Sequence, residues 1–157
     1  MKKIAFSLLT AILLLAACKG EQKPTQQALN PDGTPVMTLS ANDTATVQRL
    51  TNDYLQLLVD GKTEEAVNHL YVLDNGTPKP LTADQKREYA TALDNFAYQG
   101  YRITSYAFHT EADTEVEYDL YLDNPASASH PRTFKGLIRP VRRNGAWYIT
   151  LANGFLK

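Results

Sequence analysis

The chain has 157 residues and a formal net charge of −1, from 16 basic and 17 acidic residues. This length is typical of a single domain, and the near balance of charge excludes the strong basic excess that nucleic-acid-binding proteins usually show. Cys18 is the only cysteine, which excludes an internal disulfide. The three histidines lie far apart in the sequence without cysteine ligands, so no metal site or cofactor is predicted.

The N-terminal segment has the three parts of an export signal. Lys2 and Lys3 precede an apolar run over residues 4–17, which is shorter than the roughly 20 residues that span a bilayer. The sequence Leu15-Ala16-Ala17-Cys18 then resembles the lipobox of bacterial lipoproteins, in which the cysteine is lipidated and becomes the new N-terminus. This resemblance implies that residues 1–17 are a signal peptide and that Cys18 is the lipidation site. The alternative is an ordinary secretory signal followed by an incidental cysteine.

Residues 18–39 are expected to form a flexible tether. The stretch is rich in glutamine, proline and glycine and holds few apolar residues, so it cannot bury enough surface to offset its ordering entropy. The globular domain is therefore placed at residues 40–157. We expect a membrane-anchored lipoprotein of the bacterial cell envelope, in the outer membrane, on a face that the sequence leaves open.

Three helices are predicted at the start of the domain. The first can be capped by Ser40, Asn42 or Asp43 and ends at Asp60-Gly61, since glycine commonly follows a helix C-terminus. Its apolar positions share one face at helical spacing; they are Val47, Leu50, Tyr54, Leu57 and Leu58.

The second helix is predicted to be capped by Thr63, and the break at Asn75-Gly76-Thr77-Pro78 follows it. Its expected inner face consists of Ala66, Val67, Leu70 and Tyr71. Thr82 and Gln85 form a capping box that opens the third helix, which is expected to continue to Gly100. Its apolar stripe consists of Tyr89, Leu93, Phe96 and Ala97.

After Gly100 the hydrophobic period changes to two, which indicates strands. Residues 102–109, 115–123 and 133–143 are predicted as strands, and Pro140 argues for an edge or a bulge in the third of them. In the second, Val116, Tyr118 and Leu120 should face a core while the alternate residues face water. Asn144-Gly145 is a strong hairpin signal, and the last strand should turn Trp147 inward, onto the first helix near Tyr54 or Leu58.

This order predicts an α+β domain in which three N-terminal helices pack on a curved antiparallel sheet of about four strands. Two motifs, Asp60-Gly61-Lys62 followed by Glu64-Glu65-Ala66 and the terminal run from Arg142 to Ile149, resemble those of NTF2-like (cystatin-like) domains. The resemblance covers residues 40–156 and is closest to small lipoproteins of Gram-negative bacteria. It implies a cone with a pocket at its open end. Members of this superfamily include isomerases, dehydratases and protein-binding modules, so the fold alone does not choose a function.

Five side chains are candidates for a pocket or for ligand contact: Tyr54, Tyr89, Asp94, Tyr106 and His109. A carboxylate such as Asp94 could transfer protons in an apolar pocket, although a solvated helical acid is the favoured interpretation. Tyr54 and Tyr89 are expected mainly in the core, and His109 at a rim or on plain surface. The strand parity of Tyr106 places it opposite the core residues, and tyrosine suits such an interface because its body is apolar and its tip polar.

Basic residues of the third predicted strand, such as Lys135 and Arg139, stand against Glu115, Glu117 and Asp119 of the strand before it. Cross-strand pairing is a better explanation than an anion site.

No phosphate loop or nucleophile motif occurs. The preferred hypothesis is a non-catalytic, lipid-anchored envelope module that binds a protein, a peptide or a small ligand. The alternative is a small isomerase or hydratase that uses an acid or a histidine in its pocket. A homodimer is left open.

Overall fold

The computed structural model of the protein describes residues 39–111 and 113–151. The predicted signal peptide, the lipidation site Cys18 and nearly all of the predicted tether lie outside these residues and remain predictions. None of the described helices is long and apolar enough to cross a membrane.

The described residues form a mixed α+β arrangement of three helices and one six-stranded sheet. The helices are α1 (Ala41–Val59), α2 (Thr63–Val67) and α3 (Ala83–Asp94). The strands are β1 (Leu70–Asp74), β2 (Thr77–Pro80), β3 (Gly100–Phe108), β4 (Thr114–Tyr121), β5 (Thr133–Arg143) and β6 (Ala146–Leu151). The expectation of about four strands is therefore wrong, because β1 and β2 were not recognised.

Strands β1 and β2 form a hairpin in the residues for which the sequence predicts the end of the second helix and a break. Helix α2 stops at Val67, so Leu70 and Tyr71 lie in β1 instead of on a helical face. Asn75 and Gly76 adopt positive φ angles of 49° and 75°, which are the angles that a tight two-residue hairpin turn requires. The pair is thus a turn of the same kind as Asn144-Gly145.

The caps predicted for α1 and α3 are present, whereas the predicted cap Thr63 is the first residue of α2, and Lys62 stands at its N-cap without a side-chain hydrogen bond. Ser40 caps α1 with Asp43 as its reciprocal partner, and Thr82 and Gln85 form the same box at α3. Helix α3 is shorter than expected, since it ends at Asp94 with Asn95 as its C-cap. Phe96 consequently leaves the predicted apolar stripe and is 45% exposed.

The sheet has the strand order β2-β1-β6-β5-β4-β3. All neighbouring strands are antiparallel except β1 and β6, which are parallel. The expectation of a purely antiparallel sheet is therefore wrong. Strand β5 is an inner strand despite Pro140. Its pairing with β4 reaches only Ile138, and the hydroxyl of Thr114 donates to the carbonyl oxygen of Pro140 just beyond that point.

The core lies between the inner face of the sheet and the helices. The inner face predicted for β4 is confirmed, since Val116, Tyr118 and Leu120 are all buried, but Asp119 on the opposite face is buried too, with 6% of its surface exposed. Trp147 is also buried, with 8% of its surface exposed, but it lies against Asp43 at the start of α1 and against Phe108 at the end of β3. The predicted contacts of Trp147 with Tyr54 or Leu58 are replaced by these, because β6 begins beside the N-terminal end of α1.

Candidate functional site

The space beneath the sheet is filled by tyrosine side chains. Four of them are buried: Tyr54 of α1, Tyr89 of α3, Tyr118 of β4, and Tyr98, which lies between α3 and β3. The rings of Tyr54 and Tyr118 meet edge to face with their centroids 6.4 Å apart. A Cβ atom on Gly136 would lie only 2.2 Å from Cζ of Tyr118, so this glycine leaves the space that the ring occupies.

These phenols are neutral in the folded protein. Burial raises the pKa of all four, and the neighbouring Tyr118 and Tyr89 raise the pKa of Tyr54 further. The hydroxyl group of Tyr98 is buried and has no hydrogen-bond partner among the described residues. A neutral phenol donates a hydrogen bond but is not a base near neutral pH. The tyrosines thus fill the interior and supply no proton acceptor of useful strength.

The two acid–base candidates, Asp94 and His109, lie at the surface and apart from each other. Asp94 is the exposed last residue of α3 and borders an open groove of about 400 Å³ between α2 and α3. His109 is exposed just beyond β3, and its backbone N–H donates to the carbonyl oxygen of Asp113 over 2.9 Å. Because Asp94 precedes β3 and His109 follows it, the length of this strand separates them. The described residues contain no group of three or more acidic, histidine or cysteine side chains that could hold a metal ion.

An apolar groove lies between the first half of α1 and the end of β3, and we call it the α1–β3 groove. Its volume is about 250 Å³, and its lining residues are Leu39, Thr44, Val47, Gln48, Tyr106 and Phe108. None of these side chains is charged. Binding pockets for drug-sized ligands usually measure about 300–1,000 Å³, so a groove of this size suits one or two uncharged side chains better than a whole small molecule.

A bulge in β3 turns Tyr106 toward this groove. The register with β4 shifts between Ile103 and Ser105, after which Tyr106 lies opposite Val116, a core residue. Tyr106 therefore faces the helix side of the sheet, which corrects the expected parity. It is 38% exposed because β3 is an edge strand. The apolar residues of this strand change phase, from Tyr101 and Ile103 to Tyr106 and Phe108, and this change was the sequence signal of a bulge.

The groove is backed by a row of aromatic rings. Tyr106 stacks on Phe108 with centroids 6.2 Å apart and an interplanar angle of 11°. Phe108 meets Trp147 edge to face at the same centroid distance. The indole Nε1–H of Trp147 donates to Oδ1 of Asp43 over 2.9 Å. The row thus connects a half-exposed ring to a buried anchor, so its geometry is held by the core.

Asp43 connects the groove to the rest of the domain. Besides Trp147, its carboxylate accepts hydrogen bonds from the hydroxyl of Ser40 over 2.7 Å and from Nη1 of Arg142 over 3.5 Å. The hydrogen bond from Trp147 lowers the pKa of Asp43 most, followed by that from Ser40. The start of α1, where the chain enters the domain, is therefore fixed to the β5–β6 hairpin by an ionised carboxylate.

The two edges of the sheet differ in what they can pair with. Strand β2 has four residues, two of which are Pro78 and Pro80, and prolines on an edge hinder the addition of another strand. Strand β3 has nine residues and no proline, and residues 105–108, beyond the bulge, pair regularly with β4. Among the described residues, no strand pairs with the other side of β3, so this is the edge that another strand can join, and it borders the α1–β3 groove.

The outer face of the sheet carries cross-strand charge pairs, one of which joins predicted partners. Arg139 bonds Glu115 over 2.9 Å, and Arg102 bonds Asp119 over 2.8 Å. Lys135 lies opposite Asp119, yet the partner of Asp119 is Arg102, from the other neighbouring strand. Cross-strand pairing is therefore confirmed for Arg139 with Glu115, whereas Glu117 accepts a hydrogen bond from Ser105 instead.

Among solved structures, the chain is similar to one described as an NTF2-like transpeptidase from Campylobacter jejuni. The identity is 9% and the TM-score 0.41, over 68% of this chain and 98% of that chain. No protein-family model matches the chain, and no curated protein matches it significantly. A likeness at this score carries no conclusion about activity, so the function is inferred from the geometry of this chain.

Proposed function

We propose that the chain is a lipid-anchored module of the bacterial cell envelope that binds an extended, uncharged protein segment along β3. The domain is of the NTF2-like kind in this proposal, which the order of its elements and the resemblance of its two motifs support. Its lipid is carried by Cys18, and residues 19–39 set the distance between the domain and the membrane. A tethered domain meets neighbouring proteins at a high effective concentration, so a modest affinity suffices.

One observation carries the proposal: the strand edge without prolines borders a groove lined by half-exposed aromatic rings. A segment added to β3 would gain backbone hydrogen bonds from the edge and could insert a side chain beside Tyr106 and Phe108. The lining is uncharged, which favours apolar residues in that segment. The interior tyrosines support the same conclusion, because they occupy the space in which a cone-shaped domain would hold a small ligand.

The alternative of an isomerase or hydratase receives no support from a specific observation. It requires an acid or a histidine in an enclosed pocket beside a hydroxyl donor. The buried tyrosines could be such donors, but both Asp94 and His109 are exposed. We therefore do not propose a catalytic role for either residue.

Site-specific photo-crosslinking in intact cells tests the proposal. A benzophenone amino acid replaces Tyr106 in one variant of the full-length chain and Leu73 in a matched control. Both residues are 38% exposed, but Leu73 lies in β1, beside the proline-containing edge. We expect position 106 to capture one protein segment with alternating apolar residues, and position 73 not to capture it. Equal products at the two positions, or no protein product at position 106, would contradict the proposal.

A further inference from the structure

The chain enters the described domain at the α1–β3 groove. Leu39 is the first described residue, and its side chain is partly buried against the core and lines the groove. Ser40 follows as the cap of α1 and is held there by Asp43. The residues immediately before Leu39 are therefore joined directly to a residue that lines the groove.

Those preceding residues have the composition that the groove accepts. Residues 33–38 read Gly-Thr-Pro-Val-Met-Thr and carry no charge. In an extended chain, side chains alternate between two sides, so Met37 falls on the same side as Leu39. Two residues of extended chain cover only about 7 Å, which keeps the side chain of Met37 within reach of the lining.

We infer that the segment Pro35–Thr38 docks along the α1–β3 groove and inserts the side chain of Met37 beside Tyr106 and Phe108. Methionine is unbranched and flexible, fills irregular apolar spaces and makes favourable contacts between its sulfur atom and aromatic rings. The groove of about 250 Å³ has room for a single side chain of this size, and its described lining residues carry no charge. The end of the tether is then part of the domain surface, and only the residues before it remain a spacer.

The docked segment would compete with the partner proposed above. Because it belongs to the same chain, its effective concentration at the groove is high, and a partner segment has to displace it. This consequence rests on the proposed function, whereas the docking of Met37 does not. The tether would then act as a built-in competitor at the binding edge.

Methyl NMR of the full-length chain in detergent micelles, with ¹³C-labelled methionine methyl groups, tests the docking. Met37 is the only methionine after the predicted signal peptide, which contains Met1, and a Met37→Leu variant assigns its signal. We expect the Met37 methyl group to be shifted upfield by the aromatic rings. Tyr106→Leu, which keeps an apolar side chain without a ring, should reduce this shift. Tyr148→Leu, a control in contact with Tyr71, should not.

A Met37 signal at the position of free methionine, or one that Tyr106→Leu leaves unchanged, would overturn the inference. The crosslinker at position 106 separates this failure from a failure of the proposed function. With a docked segment and no partner, its product is internal and has the mass of a single chain. With a partner, the product is larger, and Met37→Ser should increase its yield severalfold. A yield that Met37→Ser leaves unchanged would contradict the competition.

Discussion

Replacing Gly136 by alanine tests whether the interior of the domain is filled as described. The new Cβ atom would lie 2.2 Å from Cζ of Tyr118, whereas carbon atoms pack at about 3.5–4.0 Å. The buried ring must therefore move by more than about 1 Å. Overpacking of this kind costs about 1–3 kcal/mol, which outweighs the roughly 0.5–1 kcal/mol that alanine gains over glycine within a strand.

We expect Gly136→Ala to lower the melting temperature of the full-length protein by several degrees in a thermal melt followed by circular dichroism. Gly100→Ala is the matched control, because its Cβ would meet its nearest neighbour, Cδ2 of Tyr121, at an ordinary 3.7 Å. In a Tyr118→Leu background the cost of Gly136→Ala should shrink, since the two positions share one space. If Gly136→Ala melts like Gly100→Ala, the ring of Tyr118 does not lie over Gly136 and the interior is not filled in this way.

Three further predictions concern the anchor of the groove and the anchor of the chain. Trp147→Ala should cost about 3–5 kcal/mol and Tyr148→Ala far less; equal unfolding midpoints in urea would show that Trp147 is not a buried anchor. The lowered pKa of Asp43 means that its contribution to stability is complete above its ordinary value of 3.8 and is lost as the pH falls through the lower folded value. Asp43→Asn should therefore reduce the fall in the free energy of unfolding at acidic pH. An unchanged fall would refute this role of Asp43. Cys18→Ser should abolish lipidation, seen as loss of the lipid mass from the membrane fraction. The variant should also leave the membrane, because stable anchoring requires two acyl chains. A variant still processed and held by the membrane would contradict the lipoprotein interpretation.

The parts of the fold that were predicted from the sequence depend on local chemistry. The capping residues of α1 and α3 act on backbone groups within one turn of a helix. Ser40 with Asp43 and Thr82 with Gln85 therefore predict the helix starts from local sequence alone. The alternation in β4 was equally readable, because one face of this strand meets the core and the other carries paired charges.

The parts that were missed depend on contacts between distant segments. Leu70 and Tyr71 continue an apolar pattern that fits a helix, and the pairing of β1 with β2 and with the distant β6 selects a strand. Asn75-Gly76 is the same hairpin-turn sequence as Asn144-Gly145. However, the strand that follows it, β2, contains two prolines, and prolines argue against a strand. The inward position of Tyr106 follows from a bulge, which a strict alternation of two does not allow for.

The candidate site was predicted only in part for the same reason. Tyr106 was selected as a surface residue, but Phe108 and Val47 were assigned to plain strand and core. The groove exists because the chain enters at Leu39, the carboxylate of Asp43 fixes α1 to Trp147, and the bulge aims Tyr106 at that point. Each of these contacts joins segments that are far apart in the sequence.

The most direct test of the central claim compares two single-charge variants of the full-length lipoprotein. Tyr106→Lys places a charge at the α1–β3 groove, and Leu73→Lys places the same charge at an equally exposed position near the opposite edge. Both should remain folded, and the envelope protein captured from position 106 should co-purify with Leu73→Lys but not with Tyr106→Lys. Equal recovery of that protein with both variants would contradict a binding site on β3.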